Sequence, residues 1–325
     1  MKVLTTAPTG SPEWAFHHQG RIGGATAADI LGCGRNTPKH AWATITGRLK
    51  EDISHLSHIQ MGVLLEPVIG KMWENRLKRK LLPSPGLLQN EALPWMVGTP
   101  DGIDQQTGGP WEAKSVGFWR RREWKLGVPL RVRVQCEWYS AIMGNPGPVF
   151  FAALSLPSGG ETVQEADDNS DAAPDNPESE NDLLLWGQSD PDVEFQNRAI
   201  EYVSNWYEKY VKKDVEPPAS SESDLRLLRR LYPLEKNGDA ITASPGLAKL
   251  IMEWEASGRK ASSINRDRKV LLTRIVDELK DVGWVKLPDG RFLRYTAEPR
   301  AGYTVAPSAP RVPRLMKEMK DARAS

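Results

Sequence analysis

Cysteine is nearly absent from this sequence. The two residues, Cys33 and Cys136, form no CxxC pair, so the ligand spacing of a structural zinc site, a four-cysteine iron–sulfur cluster and a disulfide framework are all missing. Both are expected to be small buried residues, and their scarcity fits a reducing compartment. Histidine is scarce as well: His17-His18 and His55 with His58 have no third ligand to complete a metal site. No apolar run approaches the ~20 residues that span a bilayer. Residues 1–20 contain no apolar stretch of the signal-peptide kind. No membrane association is expected, and the chain is expected to act in the cytoplasm. No repeat recurs at a fixed period.

Net charge is also nearly absent, at +1 over 325 residues, which looks unpromising for a polyanion-binding protein. The average conceals an asymmetry. Residues 161–182 contain nine carboxylates and no basic residue, and setting those nine negative charges aside turns +1 into +10. A basic body is what phosphate binding requires. Hydrophobic residues make up 39% and charged residues 26%, the balance of a soluble globular chain long enough for one large domain or two ordinary ones.

Thr37-Pro38 ahead of Ala41, Trp42 and Ile45 predicts an N-capped helix ending near Gly47. Val63, Leu64, Val68, Met72, Trp73 and Leu77 recur at helical spacing and predict a long helix over 58–81, stopped by Pro83 and Pro85. Residues 92–99 and 111–116 read as strands, with turns at Pro100-Asp101-Gly102 and Gly108-Gly109. A helix is predicted over 129–143 and an apolar strand over 149–156. Residues 157–182 read as an acidic loop, with a returning strand at 183–186. Phe195, Ala199, Val203, Trp206 and Tyr210 form one face of a further helix. Glu216-Pro217-Pro218 marks a boundary, after which 248–282 reads as helix and 284–295 as a hairpin around Pro288-Asp289-Gly290. The expected division is a domain over 11–215 containing the acidic loop, an extension over 216–306 and a polar tail over 307–325.

The chemistry is expected at Asp101, Glu112 and Lys114. Residues two apart in a strand share a face, so Glu112 and Lys114 project together, and Asp101 can converge on them across a hairpin. Two carboxylates beside the Ala113 carbonyl form an oxygen-rich cage suited to Mg²⁺ or Mn²⁺. Lys114 would hold or deprotonate an attacking water. By itself the pair of motifs is a weak signal, because Pro-Asp-Gly turns and Glu-x-Lys strands are common. Glu66, in Gly62-Val63-Leu64-Leu65-Glu66, lies on the long helix and Gln135 on the later one; alone, each also reads as helix surface. Arg21-Ile22-Gly23-Gly24-Ala25-Thr26 precedes a short helix over 27–31. It reads either as an anion-binding helix start, to which Arg21 adds charge, or as a glycine turn capped by Thr26. Arg120-Arg121-Arg122 and Arg131 with Arg133 flank the site segments, and Trp119 and Trp124 interleave with the first cluster, a pattern suited to phosphates and stacked bases. Lys78-Arg79-Lys80 and Arg229-Arg230 read as plain helix surface.

Taken in order, Arg-Ile-Gly-Gly-x-Thr, Gly-x-x-x-Glu, Pro-Asp-Gly, Glu-x-Lys and a helical Gln resemble the YqaJ-type viral recombinase family, grouped with lambda exonuclease among the PD-(D/E)xK nucleases. The resemblance spans residues 11–210. It implies an α/β (α+β) restriction-endonuclease-like core with a mixed central sheet flanked by helices, here carrying a helix-plus-hairpin extension. It implies a Mg²⁺-dependent exonuclease that degrades the 5′ strand of linear duplex DNA, leaving 3′ single strands for recombination through a single-strand annealing protein. A homo-oligomer, a ring trimer by analogy, and a bacterial host cytoplasm for a phage product follow from the same likeness. It implies Asp101, Glu112, Ala113 and Glu66 as metal ligands, Lys114 as the catalytic lysine and Gln135 as a residue positioning water or phosphate. Arg21 and Thr26 would receive the 5′ phosphate, and Arg120, Arg121, Arg122 and Arg131 would contact DNA. Relatives often carry serine where this chain has Ala25 or Ala28, so a hydroxyl contact to the terminal phosphate is missing. Two alternatives stay open: another RecB-like nuclease, and a catalytically silent subunit that binds DNA ends.

Overall fold

The computed structural model describes residues 1–49, 56–117, 120–156, 183–233, 242–280, 282–288 and 292–295. Its two compact units are Met1–Tyr232 and Pro233–Ser325.

The first unit opens with β1 (Lys2–Thr5) and α1 (Pro12–His18), neither of which is predicted from the sequence. Ser11 caps α1 by accepting from the Trp14 N–H, with proline at the first helical position. α2 (Gly24–Ile30) begins earlier than expected: Gly23 is its N-cap, and Thr26 lies inside the first turn rather than at the cap. α3 (Pro38–Ile45) is capped by Thr37, as its sequence predicts.

α4 (Ser57–Leu77) is the long helix, which ends at Lys78 in a left-handed conformation. Residues 78–81, predicted to continue it, instead lead into β2 (Leu81–Pro83), and β3 (Leu87–Gln89) follows. β4 (Val97–Gly98) is much shorter than the predicted 92–99 strand, because Met96 turns back to bond Leu93. β5 (Gly102–Asp104) and β6 (Pro110–Gly117) form a hairpin whose turn includes Gly108, at φ +75°. α5 (Arg121–Lys125), α6 (Leu130–Met143), β7 (Val149–Leu156), β8 (Leu184–Ser189), α7 (Val193–Trp206) and α8 (Ser223–Leu231) complete the unit.

The central sheet has the order β2-β5-β6-β7-β8, with β6 and β7 parallel and the other pairs antiparallel. A parallel pair needs a crossover, and α5 and α6 supply it. Strand alternation sorts the side chains to two faces. Trp111, Phe150, Ala152 and Leu154 pack with Ile69 and Trp73 of α4. Val116, Val149 and Ala153 pack with Val132 and Cys136 of α6. Each large apolar side chain fully buried in this way contributes roughly 1.5–3 kcal/mol. A separate sheet, β1-β3-β4, and helices α2, α3, α7 and α8 enclose a third core on the far side of α6. The architecture is the expected mixed sheet flanked by helices.

Two sequence expectations change. Arg79 is not plain helix surface: its guanidinium makes a two-pronged contact with Asp104, which has no solvent exposure, at 2.8 and 2.5 Å. Residues 216–232 do not begin a separate extension; they pack on the first unit. Lys39 reaches the Pro217 carbonyl at 2.8 Å and Glu216 at 2.6 Å, and Thr37 donates to Asp224.

The second unit contains α9 (Pro245–Leu279), capped by Ser244, and a hairpin of β9 (Trp284–Lys286) with β10 (Phe292–Arg294). Asp289 and Gly290, Trp119, the Arg122 side chain, the acidic segment 157–182 and the tail 307–325 fall outside the described residues.

Candidate active site

The β5–β6 hairpin brings the expected acidic residues together. Asp101 lies in the bend between β4 and β5, where its Oδ2 accepts the Ala113 N–H at 2.8 Å. That bond fixes the Asp101 carboxylate against the middle of β6. Glu112 and Lys114 share the β6 face turned toward α6, and the Lys114 ammonium is ion-paired with Glu112 Oε1. Glu112 is 1% exposed, and its second oxygen, Oε2, is buried without a hydrogen-bond partner among the described residues. An unpaired, buried carboxylate oxygen is costly unless a cation completes it.

Electrostatics point the same way. Burial, then the neighbouring Asp101, push the Glu112 carboxyl up to about 8, against the pull of Lys114. Burial followed by Asp101 raises Glu66 to about 7. Burial also raises Asp101, opposed by Lys114 and by the Ala113 N–H. Burial alone would lower Lys114, but Glu112 and Asp101 outweigh it and hold the ammonium above the ordinary lysine value. Three mutually repelling carboxylates share one lysine, so the site is short of positive charge. The oxygen donor set and the orphaned Oε2 fit a hard divalent cation. Among the described residues, no three acidic, histidine or cysteine side chains already surround one point.

The cluster lies where two cavities meet. One, of about 620 Å³, runs past Glu66, Asp101 and Lys114 to Asp29, Arg35, Arg120 and Arg131. The other, of about 640 Å³, includes Glu66, Asp101, Glu112 and Lys114 and extends to Trp14, His18, Thr26 and Thr99. Gln135 lines both, held by its amide, which donates to the Tyr139 hydroxyl at 2.7 Å. Its backbone also packs tightly on α2, since a Cβ at Gly24 would lie 3.0 Å from the Gln135 Cα.

Placement of the remaining predicted residues is mixed. Thr26 lines the 640 Å³ cavity and Arg120 and Arg131 the 620 Å³ cavity. Arg21 lines neither; its guanidinium turns back onto the carbonyls of His17 and Gln19 at the end of α1. Arg121 lines neither cavity. Sequence reasoning missed Asp29, Arg35 and Asn36 on one side and Trp14, His18 and Thr99 on the other. One available signal was Asp29 itself, a lone acid within the apolar Ala27-Ala28-Asp29-Ile30-Leu31.

Comparison with known proteins finds several similar chains. The sequence is 23% identical over 273 residues to the uncharacterized protein YqaJ of Bacillus subtilis (strain 168), covering 83% of this chain and 78% of that protein. Among solved structures, the alkaline exonuclease LHK-Exo of Laribacter hongkongensis superposes with a TM-score of 0.46 at 17% identity, over 68% of this chain and 97% of that one. A phage-related exonuclease of Haemophilus somnus 129PT gives 0.41 at 12% identity, over 59% and 96%. The family model of the YqaJ-like viral recombinase domain matches residues 13–146, a stretch that contains Glu66, Asp101, Glu112, Lys114 and Gln135. By that match, residues 13–146 of this chain are similar to the YqaJ-like viral recombinase domain.

Proposed function

We propose that the chain is a Mg²⁺-dependent DNA exonuclease that degrades the 5′ strand of linear duplex ends and leaves a 3′ single strand for an annealing partner. The observation that carries this reading is the buried Glu112, with one oxygen on Lys114 and the other unpartnered, beside Asp101 and Glu66 where two cavities meet. The match to the recombinase domain supports it, and the names of the exonucleases that share the fold accord with it.

Asp101, Glu112, the Ala113 carbonyl and Glu66 would hold the metal. When bound, Mg²⁺ would polarise the phosphate and make water a stronger nucleophile. The Lys114 ammonium, released from Glu112, would hold that water and balance the charge building on the phosphate. Gln135, fixed by Tyr139, would orient the water or the scissile phosphate. The Ala113 N–H keeps Asp101 in place throughout. No described helix is long and apolar enough to cross a membrane. Assembly as a homo-oligomer and action in a bacterial host cytoplasm belong to the same proposal.

The test is a linear duplex labelled at either its 5′ or its 3′ end and incubated with Mg²⁺. The proposal predicts early release of the 5′ label as mononucleotide while the 3′ label stays on a long single strand. Release of the 3′ label first, or equal release in EDTA, would overturn it.

A further inference from the structure

Resting on the nuclease reading above, we propose that Arg35, Arg120 and Arg131 form a subsite for the backbone phosphates of the bound nucleic-acid strand, with Arg35 presented by a loop folded around Asp29. The three arginines line the 620 Å³ cavity together with Glu66, Asp101 and Lys114, so an anion bound there would be continuous with the carboxylate site. The cavity lies within the range of roughly 300–1,000 Å³ typical of ligand sites.

The arginines come from three separate stretches of the fold: the loop after α2, the turn before α5, and the first turn of α6. Convergence of like charges from distant elements is unfavourable unless an anion joins them. Partial burial lowers the Arg35 pKa, and the nearby positive charges of Arg120 and Arg131 lower it further. Arg131 is paired with Glu123 at 2.6 and 3.4 Å. Neither the Arg35 nor the Arg120 guanidinium has a hydrogen-bond or ion-pair partner among the described residues. The 640 Å³ cavity differs: Lys114 is the one lysine or arginine among its described lining residues. His18 there is held neutral, its pKa lowered to about 4.

The loop that carries Arg35 is built rather than loose. Asp29 is 9% exposed, and its carboxylate accepts the Asn36 N–H at 2.9 Å and the Asn36 side-chain amide at 3.2 Å. Cys33 and Gly34 both donate backbone N–H groups to the Ala28 carbonyl, at 3.0 and 2.9 Å. A Cβ at Gly34 would fall 1.9 Å from Asp29 Oδ1, so only glycine permits this packing. Asp29 is thus a positioning residue for Arg35. Asp29 and Glu123 attract the Arg35 guanidinium, but burial and the neighbouring Arg120 and Arg131 outweigh them.

The experiment measures binding of a fluorescent DNA duplex to the full chain in EDTA, as salt is raised from about 50 to 200 mM. Working without metal separates binding from cleavage. Arg35→Gln and Arg120→Gln are each expected to bind about tenfold more weakly and to flatten the slope of log affinity against log salt by about one. Arg35→Lys should recover part of both, and the exposed Arg229→Gln should match the parent. Unfolding midpoints of all four should equal the parent's, since none of these side chains is fully buried. Parental affinity and slope in Arg35→Gln would overturn the subsite, even if the parent degrades linear DNA. Loss of affinity and slope in a protein that degrades nothing would uphold the subsite and overturn the nuclease reading.

Discussion

Glu112 sets stability against the proposed function in one side chain. It is buried, flanked by Asp101 and Glu66, and pushed up to about 8, so its ionised form costs folding free energy once pH passes the ordinary carboxylate range. Glu112→Gln keeps the shape and removes the charge. The variant is expected to unfold at a denaturant midpoint equal to or above the parent's, with a gain of about 1 kcal/mol at neutral pH. Its nuclease rate is expected to fall by roughly a hundredfold or more. Paired measurements of initial rate and denaturant midpoint check this, and joint loss of both would assign Glu112 a purely structural role. The pairing of Glu112 with Lys114 was legible because a strand puts residues two apart on one face. Arg79 was misread because its partner Asp104 lies 25 residues ahead, across a helix end that no local pattern marks. Arg35 was overlooked because a loop has no period, and its relevance comes only from the convergence of Arg120 and Arg131.

Among the elements, those with long periodic patterns were readable: α4, α6, β6 and β7 lie close to their predicted positions and carry Glu66, Gln135, Glu112 and Lys114. The β1-β3-β4 sheet and α1 were not, since strands of two to four residues are fixed by pairing with distant partners such as Lys2 with Gln89. α1 nonetheless supplies a wall of the site. Trp14 stacks on His18 with centroids 4.4 Å apart, and the Trp14 indole N–H donates to Thr99 at 3.1 Å. Burial, then Arg21, lowers His18 to about 4 from an ordinary 6.5. The fold therefore favours the neutral imidazole. That contribution is complete above pH 6.5 and is lost as pH falls through 6.5 toward 4, with a full value on the order of 3 kcal/mol. His18→Gln is expected to flatten this part of the stability profile. Denaturant midpoints at pH 7 and pH 5 should differ more in the parent than in the variant, and equal differences would show that His18 does not titrate with unfolding.

For the whole molecule, the first compact unit holds every residue proposed for the reaction, and it extends to Tyr232, with Lys39 and Thr37 anchoring residues 216–224. The composition hinted at a basic body masked by an acidic segment, and the described residues sharpen that into an asymmetry around the site. Arginines line the cavity on one side of the carboxylates, and a neutral imidazole and hydroxyls line the cavity on the other. A linear strand passing from one cavity to the other would cross Asp101, Glu112 and Lys114. The most direct measurement is a time course of linear and covalently closed circular duplex DNA with Mg²⁺, using the parent protein and Lys114→Ala. The account predicts that the parent consumes the linear duplex and spares the circle, while Lys114→Ala leaves both intact. A linear duplex untouched by the parent, or consumed equally by Lys114→Ala, would contradict it.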